Sequence, residues 1–408
     1  MKTFPYVIAG GGMVAGYAAK EMVERGLKAG ELCIVSADDS LPYERPPLSK
    51  GFLAGKETED SIRISPPEFY ESHEIDVRLR TRIDGLDTAG RFLHLESGEE
   101  IGFGKLVLAT GAEVKTLEVP GSDLAGVCYL RSIDDSQRIR REAANAKRAA
   151  VIGGGFIGME TAAVLAQKNI EVTMIIREDR IWKQFFTPAM SEFFEHYYAV
   201  RGVRFAKEAK IARIEGIAGE ASSVMLEGAQ AVAASLVIAG IGVRPVVEVF
   251  GRSGLDIPDG VAVNEYLETA HAGIYAAGDI ANYEDMIFGK RRRVEHWDNA
   301  VSQGQHCARA LMGERAAFKH VPYFFSDVFD LSYELWGDPG VAEETVTRGD
   351  AHSTSFSVWW LSKGRVVAAF AMNRPDEERE TAPQWIEAQR EVDPGRLSQA
   401  EKIADAVK

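Results

Sequence analysis

Two stretches of this chain say nearly the same thing. Residues 6–19 read YVIAGGGMVAGYAA and residues 149–166 read AAVIGGGFIGMETAAVLA. Each is an apolar, β-rich run, then a glycine cluster, then a helical pattern. A strand that turns sharply into a helix leaves free N–H groups at the helix start, and glycines there let another molecule approach the backbone. A chain that carries this unit twice is constrained to an α/β architecture with two anion-binding loops.

In the first copy, residues 2–9 predict a buried strand and residues 14–25 a helix. Gly10 permits the tight turn, Gly12 the approach of a pyrophosphate, and Ala15 the packing of helix on strand. A second strand, 31–36, ends near Asp38 and Asp39. An acid about 20 residues past such a loop grips a ribose diol, and Asp38 is the candidate. The second copy has its strand at 149–152, its loop at Gly153, Gly155 and Gly158, and its helix at 156–167. Its next strand, 171–176, ends at Arg177 and Glu178. An acid there suits NADH and a base suits the 2′-phosphate of NADPH, so both donors are expected, NADH slightly favoured. Two such loops in one chain imply two dinucleotides: FAD held permanently and NADH or NADPH held transiently, with a hydride crossing between them.

The rest of the composition fits a globular enzyme. A chain of 408 residues needs two or three domains. Its net charge of -14 and pI near 5.2 argue against nucleic acid and anionic membranes as partners. The longest uncharged runs fall short of the ~20 apolar residues of a membrane span. The N-terminal residues lack a secretory pattern, so a cytoplasmic location is expected. Cys33, Cys128 and Cys307 are far apart and form no CxxC or CxxxxC. They read as small buried hydrophobes, and neither a metal site nor an Fe–S site is expected.

Five further segments carry a resemblance: PYERPPLSKGFL (42–53), LVLATGAE (106–113), LRSIDD (130–135), AGIYAAGDIA (272–281) and RRVEHWDNAVSQGQ (292–305). With the two loops they make the chain similar to the two-dinucleotide-binding flavoproteins. That group includes ferredoxin, rubredoxin and putidaredoxin reductases, monodehydroascorbate reductases and apoptosis-inducing factor. The resemblance implies two Rossmann-like domains, one nested in the other. The FAD-binding domain would span 1–114 and 244–320, the NAD(P)H-binding domain 115–243, and a small α+β C-terminal interface domain 321–408.

It also implies roles for residues. Arg45 would contact the FAD phosphates, Lys50 the isoalloxazine, Asp279 the ribityl hydroxyls, and Glu295, His296 and Trp297 the pyrimidine edge. Ile83, Thr110 and Arg131 would complete the FAD contacts, and Phe325 of PYFFSD would wall the ring. Ile157 and Gly242 would join the glycine loop around NAD(P)H. Glu160 would pair with Lys50 near flavin N5. Read without the resemblance, Trp297 and Phe325 equally fit core positions, and Lys50 a solvated loop.

The lack of a CxxxxC argues against disulfide reduction, so electrons must leave to an outside acceptor. The expected acceptor is a small [2Fe-2S] ferredoxin, with Lys290, Arg291, Arg292 and Arg293 as the candidate docking surface; the same run equally fits a solvated turn or a structural ion-pair cluster. The alternative is a monodehydroascorbate reductase-like reduction of an organic radical. The plant enzymes of that type carry an Arg where this chain has Val301. A third reading is an NADH-responsive interaction protein like apoptosis-inducing factor. A monomer or a homodimer is expected.

Overall fold

The computed structural model describes residues 1–408 and divides into two compact units. The first comprises Met1–Arg45, Thr58–Glu113 and Val243–Pro322. Its sheet runs in the order Asp76–Arg78, Leu32–Val35, Lys2–Ala9, Glu100–Leu108, Phe92–Leu95, Ile83–Asp87, and Ile274–Ala276 also pairs with Glu100–Leu108. The four strands Asp76–Arg78, Leu32–Val35, Lys2–Ala9 and Glu100–Leu108 are parallel to one another, and Ile274–Ala276 pairs parallel with Glu100–Leu108; Tyr6 lies opposite Leu32 and Lys105. Parallel strands covered on both faces read as unbroken apolar runs, which is why LCIV is buried at every position. Phe92–Leu95 and Ile83–Asp87 add an antiparallel edge. Helix Met13–Glu24 buries Met13, Val14, Ala15, Ala18, Ala19 and Met22, and it packs against helix Trp297–Leu311.

The second unit comprises Pro46–Glu57, Val114–Gly242 and Tyr323–Lys408. It holds a five-stranded parallel sheet in the order Arg204–Ala206, Glu171–Ile175, Arg148–Ile152, Leu236–Ala239, Val127–Cys128. A three-stranded antiparallel sheet, Ile211–Ile217 with Glu220–Leu226 and Ala231–Ala233, shares a core with it through Val127, Ile152, Val224 and Val237. The C-terminal part is a five-stranded antiparallel sheet in the order Tyr323–Val328, Leu331–Gly337, Arg365–Met372, Phe356–Ser362, Glu344–Gly349. Helix Asp376–Glu387 lies on it. The expected α/β class, two parallel nucleotide-type sheets and a small α+β module, is what is observed. No helix is long and apolar enough to cross a membrane.

Candidate functional site

The two glycine loops are built alike. Gly10 has φ +131, and a Cβ on it would lie 2.0 Å from the Ala109 carbonyl oxygen. Gly153 has φ +110, and its Cβ would lie 2.2 Å from the Gly240 oxygen. Only glycine fits either position, because the neighbour is backbone and cannot yield. The second glycines are the opposite case. A Cβ on Gly155 would meet nothing within 4 Å, and one on Gly12 would meet only the Arg45 Nη2 at 3.9 Å. No protein atom therefore requires glycine at Gly12 or Gly155, and the open space is where a bound group would come close. Gly12 and Gly155 are also the N-caps of helices Met13–Glu24 and Phe156–Gln167. Neither helix has a side-chain cap or an acidic residue in its first turn. Their N–H groups and partial positive charge remain for a phosphate, so the residues present fit two dinucleotide pyrophosphates. Ala15 is fully buried, and a Cβ on Gly158 would strike the Gly153 oxygen at 2.1 Å, so helix and strand are in close contact in both copies.

The candidates grouped with the first loop all belong to the first unit. Asp38 is half-buried, and its carboxylate accepts the N–H groups of Asp39 (2.9 Å) and Ser40 (3.3 Å) and the Tyr43 hydroxyl (2.9 Å). The Arg45 guanidinium lies over the Tyr43 ring at 5.3 Å and beside Gly12. Asp39 is exposed and paired with Arg80 instead. Thr110 follows the strand that crowds Gly10, and its hydroxyl donates to the Val246 carbonyl at 2.7 Å. Asp279 sits in the turn Gly278–Ile280, where Gly278 approaches Val14 of the first helix. Its carbonyl accepts Arg293, which also pairs with Glu295 at 2.7 Å. His296 is the N-cap of helix Trp297–Leu311. The Trp297 indole donates to Glu44, which also accepts the Tyr17 hydroxyl, and the Tyr17 ring meets Trp297 edge-on. Burial first, and then the hydrogen bond to Glu44 and the Glu44 charge, push the Tyr17 phenol well up. Ile83 is half-buried, opposite Leu95.

The second unit holds the charged pair. Glu160 is 3% exposed on helix Phe156–Gln167, and Lys50 Nζ lies 2.8 Å from its Oε1. The ammonium also faces the Phe325 ring at 5.4 Å. Lys50 is thus not a solvated loop residue, and Phe325, half-buried, is not sealed in a core. Arg131 precedes helix Ile133–Ala143, and its N–H donates to Asp135 at 2.9 Å. Ile157 is half-buried beside the second loop, and Gly242, exposed at φ +102, accepts the Lys115 N–H at 2.9 Å. Arg177 and Glu178 are exposed just past strand Glu171–Ile175, while Asp179 is engaged by Lys183 at 3.0 Å.

The basic run 290–293 is ion-paired. Residues Lys290–Arg292 form a strand paired with Ala281–Asp285, which sets Arg291 opposite Glu284. Arg291 pairs with Glu284 at 3.0 Å and donates to the Val263 and Asn282 carbonyls. Arg292 pairs with buried Asp285, and Arg293 with Asp259 and Glu295. Cross-strand register makes this run an ion-pair cluster, with Lys290 and Arg291 exposed at its edge. The sequence also gave no direct signal for Glu44 and Tyr17, which hold Trp297 from 253 residues away in the case of Glu44.

Residues 4–304 match the pyridine nucleotide-disulphide oxidoreductase family, and residues 323–404 match the reductase C-terminal domain. The chain belongs to this family. It is an oxidoreductase that works with FAD and NAD(P)H, as the resemblance implied. It is 36% identical over 402 residues to monodehydroascorbate reductase 4, peroxisomal, of Arabidopsis thaliana, a match covering 93% of this chain and 81% of that one. Monodehydroascorbate reductase of Pisum sativum is 34% identical over 410 residues, 93% of each chain. Among solved structures, a ferredoxin reductase from Rhodopseudomonas palustris matches with a TM-score of 0.94 at 29% identity, over 100% of both chains. Putidaredoxin reductase, from its covalent complex with putidaredoxin, matches equally, at 0.94 and 29% over 99% of both chains. The names of these relatives point to two acceptors, a ferredoxin-type protein and monodehydroascorbate.

Proposed function

We propose that this chain carries electrons from NAD(P)H through FAD to a ferredoxin-type [2Fe-2S] protein. When bound, the flavin supplies the conversion of a two-electron hydride into single electrons. The chain's own residues bind and orient. Gly10, Gly12, Ala15, Asp38 and Arg45, with Ile83, Thr110, Arg131, Asp279, Glu295, His296, Trp297 and Phe325, are assigned to FAD. Gly153, Gly155, Ile157, Gly158, Arg177, Glu178 and Gly242 are assigned to the nicotinamide nucleotide. Lys50, paired with Glu160, presents a cation to the flavin. The single observation that supports two resident nucleotides most strongly is the open space over Gly12 and Gly155 at two uncapped helix starts. The nested domain boundaries, 1–114 with 244–320 around 115–243, belong to the same proposal. A reducing cytoplasm is supported by three buried free thiols, among which burial pushes Cys128 up to about 11 and Cys33 up to about 12.

The acceptor is supported by the full-length match to ferredoxin reductases and by Val301, which offers no cation to an ascorbate anion. The second reading, reduction of monodehydroascorbate, rests on the plant relatives at 34–36% identity. Both are tested by driving the purified flavoprotein with NADH against a [2Fe-2S] ferredoxin, monodehydroascorbate, cytochrome c and a quinone. Ferredoxin should give the highest kcat/KM. Fast monodehydroascorbate turnover with poor ferredoxin turnover would hand the assignment to the second reading.

Donor choice is a separate expectation. Glu178→Ala should raise the ratio of kcat/KM for NADPH over NADH by about 10-fold, because it removes the acid that rejects a 2′-phosphate and leaves Arg177. An unchanged ratio would place the ribose elsewhere.

A further inference from the structure

The Glu160 carboxylate is held by more than Lys50. Its Oε1 accepts Lys50 Nζ at 2.8 Å and the Ser326 hydroxyl at 2.6 Å, and its Oε2 accepts the Ser49 hydroxyl. The serines lie 111 and 166 residues from Glu160 in the chain. Both are as buried as the carboxylate, at 1% and 0% exposed. Ser49 also leans on the Pro46 carbonyl at 3.3 Å, inside the turn Pro46–Ser49 that delivers Lys50. Ser326 is the neighbour of Phe325, whose ring faces the Lys50 ammonium.

We propose that Ser49 and Ser326 are positioning residues that fix the plane of the Glu160 carboxylate and thereby the place of the Lys50 ammonium. The proposal rests on the reading of Lys50 as the cation presented to the flavin. A lysine on a four-carbon stem has little precision of its own, and a carboxylate with one free oxygen can turn about its terminal torsion. Two short hydroxyls, one on a turn and one on a strand, occupy both oxygens and stop that rotation. A functional group must be held to about 0.5 Å to be useful, and supporting hydrogen bonds of this kind supply that.

A purely structural role would be to satisfy a buried charge, so the test must separate the two. Ser49→Ala, Ser326→Ala, Glu160→Gln and the double Ser326→Ala/Glu160→Gln are compared with the wild-type holoenzyme. Flavin reduction at saturating NADH is followed by stopped flow, and the flavin visible spectrum and midpoint potential are recorded in the resting protein. Each serine variant should slow reduction by about 10-fold, the scale of one hydrogen bond to a charged group, and shift spectrum and potential. In the Glu160→Gln background the same Ser326→Ala change should shift none of the three, because its effect runs through Glu160. Ser326→Thr should recover most of the loss. If Ser326→Ala fails to fold, Ser326→Cys, which keeps the size and weakens the donor, takes its place. Wild-type rates and spectra in the serine variants, or a full additive effect in the Glu160→Gln background, would overturn the proposal. Should Lys50→Met itself reduce at the wild-type rate, the reading of Lys50 fails. If only the serine variants do so, this inference fails alone.

Discussion

Lys50→Met is expected to slow the reduction of bound FAD by NADH by about 100-fold, the loss typical when one preorganised charge donor is removed from a site. FAD should stay bound, because the pyrophosphate loop, Asp38 and Arg45 are untouched. Methionine keeps an unbranched side chain as far as Cε and deletes the ammonium group. The change also strands Glu160, which is 3% exposed, with two neutral hydroxyls and no cation. An uncompensated buried carboxylate is costly, so the single variant should also lose stability. The double variant Lys50→Met/Glu160→Gln removes both charges and should regain that stability without regaining the rate. Stopped-flow flavin absorbance and thermal unfolding separate the two effects. A wild-type rate in Lys50→Met would end the assignment of this pair to flavin chemistry.

The parts of this site that were legible in the sequence are the local ones. Gly10, Gly12, Gly153 and Gly155 lie within a few residues of the strand and helix they join, so spacing alone predicts the turn. Asp38 was legible for the same reason, being one strand further on. Lys50 and Glu160 lie 110 residues apart, and spacing offers nothing across that distance. Only the resemblance paired them. Ser49 and Ser326 stand within PPLSK and FFSD, yet their shared partner is on a third segment, and a single serine in a turn or a strand carries no pattern of its own. The basic run at 290–293 shows the opposite limit. Four adjacent cations look like a free surface patch in one dimension. Hairpin register puts Glu284 opposite Arg291, and Asp285, Asp259 and Glu295 pair with Arg292 and Arg293, so much of the charge is neutralised locally.

Glu378→Gln is expected to destabilise the C-terminal module by about 3–5 kcal/mol, the range seen when one partner of a buried ion pair is removed. Glu378 is 3% exposed on helix Asp376–Glu387. Its Oε1 meets Arg348 Nε at 3.1 Å and Arg374 Nη2 at 2.5 Å, and its Oε2 accepts the Ser357 hydroxyl at 2.6 Å. Arg348 reaches on to the carbonyls of Leu397 and Ala400. One carboxylate thus joins strands Glu344–Gly349 and Phe356–Ser362 to both C-terminal helices. The amide keeps the shape and removes the charge, leaving Arg348, 4% exposed, without a counter-ion. Burial alone would raise the Glu378 carboxyl, but hydrogen bonds from Arg374 and Ser357 and the Arg348 and Arg374 charges outweigh it and hold it below its ordinary value of 4.5. The sign follows from linkage. A carboxyl lowered in the folded state contributes stability that is complete above 4.5 and is lost as pH falls through the folded value. Wild-type protein should therefore lose stability as pH falls below 4.5, and Glu378→Gln should be weaker near neutrality and flatter in acid. Because a chain of this size need not unfold in one step, hydrogen exchange of the strands in residues 323–372 is the appropriate measure. The same helix carries Arg379, which holds Glu334, the acceptor of the Tyr323 hydroxyl at 2.8 Å. Loosening the helix should thus reach strand Tyr323–Val328, where Phe325 and Ser326 stand. Unchanged protection in that strand would show that the clamp and the strand carrying Phe325 and Ser326 are energetically separate.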